Sequence, residues 1–243
     1  MKDTYFTLIK NEKIAKNTYI SVLKGDTSDI CASGQFVNIK LDGLYLRRPI
    51  SVCDVDGDNL TIIYKAVGVG TEKMATTTIG EKWLTLTGLG NGYDLEKSGE
   101  MPLLIGGGAG VPPMYYLAKL LVNQGKRPTV ILGFGKADEV FFKEEFEALG
   151  LRVLVTTVDG SEGIKGFVTD AMSDIDYTYF YTCGPEPMLK AVYDKTVTSG
   201  QFSFEERMGC GFGACMGCTC KTKYGNKRIC RDGPVLEKEE IIW

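Results

Sequence analysis

Late in the chain, Cys210, Cys215 and Cys218 stand in C-x4-C-x2-C order within Gly209-Cys-Gly-Phe-Gly-Ala-Cys-Met-Gly-Cys218, and Cys230 follows in Arg228-Ile-Cys230. No other feature restricts the fold so tightly, because four thiolates at this spacing match those that hold a 2Fe–2S cluster. The glycines agree: Gly209, Gly211, Gly213 and Gly217 let a tight loop take unusual backbone angles and turn its N–H groups toward sulfur. A disulfide knot would need an oxidising compartment, and Met1-Lys-Asp-Thr-Tyr5 opens on a strand-like pattern rather than an export signal. A zinc ribbon would show two separated C-x2-C pairs. Spacing therefore assigns Cys210, Cys215, Cys218 and Cys230 as metal ligands and leaves the fifth thiol of the loop, Cys220, a bystander.

Histidine is absent from all 243 residues. This excludes Rieske ligation, which needs two histidines on one iron, and any Ser-His or Cys-His catalytic pair. Eight cysteines without an export signal fit a reducing, cytoplasmic setting. A formal charge of −3 gives no electrostatic reason to expect nucleic acid or an anionic membrane as partner. Residues 101–118 carry no charge, which approaches the length of a membrane span. Gly106, Gly107, Gly108, Gly110, Pro112 and Pro113 would break a helix there, so a strand, a turn and a helix explain the stretch better.

Up to about residue 95 the chain reads as β structure. Apolar runs at 5–9, 18–23, 36–41, 60–64 and 83–86 are separated by Gly/Asp/Asn turns, with a hairpin turn at Val55-Asp-Gly-Asp58. Closely spaced strands of this kind suggest a small antiparallel barrel. A short helix is expected over 70–75, with Thr71 as its N-cap. Arg47-Arg-Pro-Ile-Ser51 puts cations beside a hydroxyl at a strand start, and Lys65-Ala-Val-Gly-Val-Gly-Thr71 runs from a strand through glycines into a helix, a natural phosphate site. On neighbouring strands, these two stretches are placed to grip the two ends of a flavin nucleotide.

From about residue 100 strands alternate with helices: strands at 102–105, 129–132, 151–155 and 177–181, and helices at 114–123, 139–149, 167–172 and from Cys183-Gly-Pro-Glu-Pro-Met188 to about 198. Alternation implies a parallel sheet with nucleotide at the strand C-termini. The loop Gly108-Ala-Gly110-Val-Pro-Pro113 is G-x-G-x-x-P, with glycines that admit a pyrophosphate and a proline tolerated in the first helical turn. The chain is thus an α+β multidomain protein in three parts: an antiparallel β-barrel over 1–98, an α/β parallel-sheet nucleotide domain over 99–200, and a small cluster module over 201–243.

Barrel, nucleotide domain and cluster in that order resemble the ferredoxin–NADP reductase superfamily with an appended 2Fe–2S domain. Its flavin motif R-x-Y-[ST] is matched at both ends by Arg48-Pro-Ile-Ser51, with Ile50 in place of the tyrosine. Across the whole chain Arg-Pro-Ile-Ser, Gly70-Thr71, Gly-Gly-Gly-x-Gly-x-Pro-Pro, Cys183-Gly-Pro-x-Pro-Met, the cysteine loop and Cys230-Arg-Asp-Gly-Pro-Val235 look like the electron-transfer subunit of class 1B dihydroorotate dehydrogenase. The resemblance implies FAD at Arg48, Pro49, Ile50 and Ser51, at Ile63, Tyr64 and Lys65, and at Gly70 and Thr71. It implies NAD at Gly108, Gly110 and Pro113 and at Cys183, Gly184 and Pro185. Cys183 would end a strand facing the nicotinamide, or else be a small buried apolar residue. Lys136 after the second strand hints at NADP, but Asp138 and Glu139 follow closely, so NAD rests on the resemblance.

A nicotinamide exchanges two electrons at once and a 2Fe–2S cluster passes one at a time, so a flavin, which does both, belongs between them. The implied path runs from dihydroorotate to FMN on a catalytic partner subunit, then cluster, FAD and NAD, in a heterotetramer of two of each chain that serves pyrimidine (UMP) biosynthesis. This chain itself supplies no catalytic residue for dihydroorotate oxidation. Two alternatives are a flavin/iron–sulfur reductase with another partner, of the sulfide dehydrogenase or transhydrogenase type, and a zinc-stapled nucleotide module without redox role.

Overall fold

The computed structural model describes residues 1–243. Strands β1 (Lys2–Ala15), β2 (Thr18–Lys24), β3 (Phe36–Lys40), β4 (Arg48–Asp56) and β5 (Asn59–Lys65), helix α1 (Val69–Ala75) and strand β6 (Lys82–Leu89) build the first part. The six strands close into an antiparallel barrel in the order β1-β2-β5-β4-β3-β6. Period-two alternation drives the closure: Phe6 and Leu8, Val37 and Ile39, and Leu60 and Ile62 all point inward, each with 0% exposure. Each such side chain contributes about 1.5–3 kcal/mol on burial. The expected hairpin turn sits between β4 and β5, with Gly57 at φ +56°. The expected cap does not hold. Gly68 is the N-cap of α1, and Thr71 lies inside the first turn, where its hydroxyl donates to the Gly68 carbonyl and accepts from the Val67 N–H.

The second part contains β7 (Pro102–Gly107), α2 (Val111–Asn123), β8 (Thr129–Phe134), α3 (Lys143–Ala148), β9 (Arg152–Thr157), β10 (Ile164–Lys165), α4 (Val168–Ala171), β11 (Tyr179–Cys183), α5 (Glu186–Lys195) and β12 (Gly200–Ser203). Most expected elements shift at their ends by one to three residues, the usual uncertainty of boundaries read from pattern. Helix α2 starts earlier than expected, at Val111, because both prolines sit in the first turn, where no N–H needs a partner. The single helix expected over 139–149 is instead a 3-10 turn at Ala137–Glu139 followed by α3. Between them Phe141 and Phe142 enter the core, and Phe142 takes the left-handed region (φ +67°), which no continuous helix allows.

The chain then forms β13 (Thr219–Thr222), β14 (Gly225–Arg228), α6 (Ile229–Asp232) and β15 (Val235–Glu237). β13 and β14 pair as a separate hairpin, while β15 joins the large sheet, whose order is β10-β9-β8-β7-β11-β12-β15. All its pairings are parallel except β12 with β15. The expected division after residue 200 therefore cuts β12, and the cluster module is an excursion between two adjacent strands of the nucleotide sheet. From β7 the chain adds strands first on one side and then, at β11, on the other, so the crevice between β7 and β11 is the switch point where nucleotides bind in such sheets. Barrel and sheet are joined by the Lys119–Asp54 ion pair (2.6 Å) and by the Tyr93 hydroxyl donating to the Thr182 carbonyl (3.0 Å). No helix is long and apolar enough to cross a membrane.

Candidate functional site

Two cavities and one thiol loop lie side by side. The first cavity, about 250 Å³, opens on the outer face of β4 and β5 and is lined by Pro49, Ile50, Ser51, Ile63, Tyr64, Lys65 and Thr71. Arg48 and Gly70, also expected there, meet at its edge: a Cβ on Gly70 would overlap the guanidinium of Arg48, so only glycine lets the cation lie against the start of α1. The Arg48 guanidinium also donates to the Leu46 carbonyl. Burial pushes the Tyr64 hydroxyl up to about 12, and it donates to Asn11 Oδ1 at 3.1 Å. Apolar walls with a hydroxyl and two cations at the rim suit a flat ring system carrying phosphates.

Sequence reasoning missed the far wall of this cavity, which comes from Phe36, Ala109 and the segment from Ser203 to Met208. Only the chain's return to the barrel brings that segment in, and no local pattern announces it. Glu205 is open to the cavity, and its desolvated surroundings push its carboxyl above the ordinary value.

The second cavity, about 460 Å³, lies over the C-terminal ends of β7, β8 and β9. Of the residues expected at the dinucleotide, Gly108 and Pro185 line it. The others build the seam beneath: Pro113 and Gly184 are buried, and Gly110 packs so closely on the Cys183 carbonyl that a Cβ would overlap it. Cys183 ends β11 with 1% exposure, and burial, with Glu205 nearby, raises its thiol far out of the physiological range. Lys136 is exposed and does not line the cavity, whereas Glu139 does. Lys65 lines both cavities and pairs with Glu139 at 3.2 Å.

In the thiol loop the sulfurs fall into two pairs. The Cys215 N–H donates to Cys210 Sγ at 3.4 Å and the Cys210 N–H to Cys215 Sγ at 3.5 Å, while the Cys230 N–H donates to Cys218 Sγ at 3.4 Å. Two thiol pairs, three of their members on the loop and Cys230 on α6, suit a two-iron centre. Burial opposes ionisation of Cys210, but the N–H groups of Cys215, Phe212 and Ala214 outweigh it and hold the thiol at about 6. Cys218 and Cys230 are each 2% exposed. Arg228 braces the loop, pairing with Asp232 at 3.0 Å and donating to the Gly213 carbonyl at 3.0 Å. Cys220 sits apart on β13, its thiol raised by burial and by Glu206.

A six-stranded barrel followed by a parallel nucleotide sheet, with a cysteine module stitched into that sheet, defines a flavin- and dinucleotide-dependent oxidoreductase of the ferredoxin–NADP reductase type. Residues 104–194 match the oxidoreductase NAD-binding domain, and residues 205–242 match the iron–sulfur cluster binding domain of dihydroorotate dehydrogenase B. The chain is 42% identical to the dihydroorotate dehydrogenase B (NAD+) electron-transfer subunit of Shouchella clausii, covering 99% of this chain and 98% of that one. It is 45% identical to the subunit of the same name from Fusobacterium nucleatum, covering 99% of each. Among solved structures it superimposes, with a TM-score of 0.89 and 30% identity over 98% of this chain and 90% of the other, on a chain of NADH-dependent reduced ferredoxin–NADP oxidoreductase. The chain belongs to the family of dihydroorotate dehydrogenase B (NAD+) electron-transfer subunits.

Proposed function

We propose that this chain carries electrons from an FMN-bearing dihydroorotate dehydrogenase subunit to NAD+, through a 2Fe–2S cluster and then FAD. The observation that carries this reading is the order of the sites. The flavin cavity shares Lys65 with the dinucleotide cavity on one side, and takes Met208, two residues before Cys210, into its wall on the other. A centre that exchanges both one and two electrons belongs in that middle position. Oxidation of dihydroorotate on the partner releases two electrons and two protons; NAD+ takes up both electrons with one proton, and one proton is released to water.

Each group has its residues. Cys210, Cys215, Cys218 and Cys230 would hold the 2Fe–2S cluster. Arg48, Lys65 and Thr71 hold the phosphate side of FAD, while Pro49, Ile50, Ser51, Ile63, Tyr64 and Gly70 shape its bed. Gly108 and Pro185 meet NAD directly, with Gly110, Pro113, Cys183 and Gly184 holding their loops in place. An acid at the dinucleotide cavity favours a free ribose hydroxyl over a 2′-phosphate, which supports NAD as the substrate. The complex is a heterotetramer of two of each chain in the reducing cytoplasm, where free thiols persist.

Steady-state assays on purified chain, with and without partner, test this. The isolated chain should reduce artificial acceptors with NADH and show no dihydroorotate:NAD activity, and adding the FMN-bearing partner should create it. Dihydroorotate:NAD activity from this polypeptide alone, with partner excluded by mass spectrometry, would overturn the reading.

A further inference from the structure

Alternation along β3 turns Val37 and Ile39 into the barrel core and leaves Phe36 and Asn38 on its outer face. Opposite them on β4 stand Ser51 and Pro49, so Asn38 shares its face with the flavin motif. Although outward, Asn38 is only 1% exposed, because the cysteine loop covers it. Its Nδ2 donates to the Cys210 carbonyl at 3.2 Å, the one side-chain hydrogen bond from the barrel to the loop between Arg207 and Cys218. Gly211 packs on the same amide. A Cβ there would overlap Nδ2, and φ of +79° already requires glycine. From below, Arg47 donates to the Asn38 carbonyl at 3.3 Å and pairs with Asp3 at 2.8 Å, so the contact rests on a braced strand.

The other end of the amide is uncompensated. Asn38 Oδ1 is buried and has no hydrogen-bond partner. Turning the amide over would set two acceptors, Oδ1 and the Cys210 carbonyl, against each other. An unpaired buried amide oxygen costs more than an apolar residue of similar size would at this position. The hydrogen bond this side chain makes is from its N–H, to the Cys210 carbonyl.

We propose that Asn38 is a positioning residue that fixes the register of the Cys210 loop on the flavin-bearing face of the barrel, and through it the electronic coupling of flavin to cluster. The inference rests on the flavin-and-cluster reading above. Without the amide, the loop keeps its cysteines but loses its one side-chain anchor to the flavin face.

The test uses full-length holoprotein carrying Asn38→Val, which suits a strand and removes the orphan oxygen, and separately Asn38→Ala. Iron and flavin contents should match the parent, and NADH should reduce the flavin at the parental rate. Cluster reduction from the flavin should slow about fivefold, the equilibrium equivalent of one net hydrogen bond. Relaxation of the flavin radical signal by the reduced cluster, read by electron paramagnetic resonance, should weaken in parallel. Should one variant fold poorly, the other decides. Unchanged transfer and relaxation in a fully loaded variant overturn the proposal, as does loss of iron in both, which would make Asn38 a residue of ligation or folding. Parent protein lacking either the flavin or the cluster signal counts against the functional reading itself.

Discussion

Lys65 Nζ and Glu139 Oε2 lie 3.2 Å apart across the seam between barrel and nucleotide sheet, one reaching from the end of β5 and the other from the turn after β8. The ammonium lines both cavities. Lys65→Met should therefore weaken FAD and NADH binding together, each by about tenfold, the loss of one charge-assisted hydrogen bond. Glu139→Gln should spare FAD and narrow the preference for NADH over NADPH. Titration calorimetry with each nucleotide reads both, and a loss confined to one cofactor in the lysine variant would show that Lys65 serves a single cavity.

Arg48 and Gly70 act as one unit, because the guanidinium occupies the space a side chain at 70 would fill. Arg48→Ala should weaken FAD retention by roughly ten- to a hundredfold, from a charge-assisted bond of about 1.5–3 kcal/mol. Gly70→Ala leaves the charge but displaces it, and should cost a comparable amount. An unchanged flavin dissociation constant in both variants would make Arg48 an ordinary surface cation.

The cysteines separate into four and one. Serine at 210, 215, 218 or 230 should abolish the normal 2Fe–2S resonance of the reduced protein and lower its iron content. Cys220→Ser should leave both nearly unchanged, since Cys220 sits on a hairpin strand with its thiol raised by burial. Loss of the cluster in the Cys220 variant alone would overturn the ligand set.

Alkali should unfold this protein over a defined range. Burial raises the hydroxyls of Tyr64, Tyr93, Tyr115, Tyr116, Tyr177, Tyr179 and Tyr181, with Tyr64 reaching about 12. Unfolded tyrosine ionises near pH 10, so the stability these groups confer is full below about pH 10 and is lost as pH rises beyond it. For Tyr64 the loss runs between about pH 10 and the folded value of about 12. Tyr64→Phe should flatten that portion of a denaturation-against-pH curve.

The parts legible in the sequence were those whose signal is local. Cysteine spacing is covalent, and a C-x4-C-x2-C run keeps its meaning whatever surrounds it. The barrel strands announced themselves through alternation, as at Phe36-Val-Asn-Ile, and the nucleotide sheet through apolar runs that end in glycine or Cys-Gly-Pro. What escaped was set by partners distant in the chain. Val235–Glu237 is too short to show a period, and it is a strand only because β12 offers an edge. Thr71 carries a capping residue's chemistry, yet Gly68 holds the extended conformation that a cap needs. Phe142 leaves a good helical pattern because the core claims its ring. Asn38 reads as one polar residue on a strand, and only the folded chain brings Cys210 to it.

The cysteine module leaves its sheet along β12 and comes back along β15, the strand next to it, where Asn91 also clasps both backbone groups of Val235 at 2.8 and 3.0 Å. A module hung from one linker sweeps a volume and can shuttle between donor and acceptor like a ferry. A module sewn down at both ends has already lost that freedom on folding. Here traffic crosses a bridge of constant span. The catalytic partner must come to the thiol loop, because a loop held at both ends does not travel to meet it.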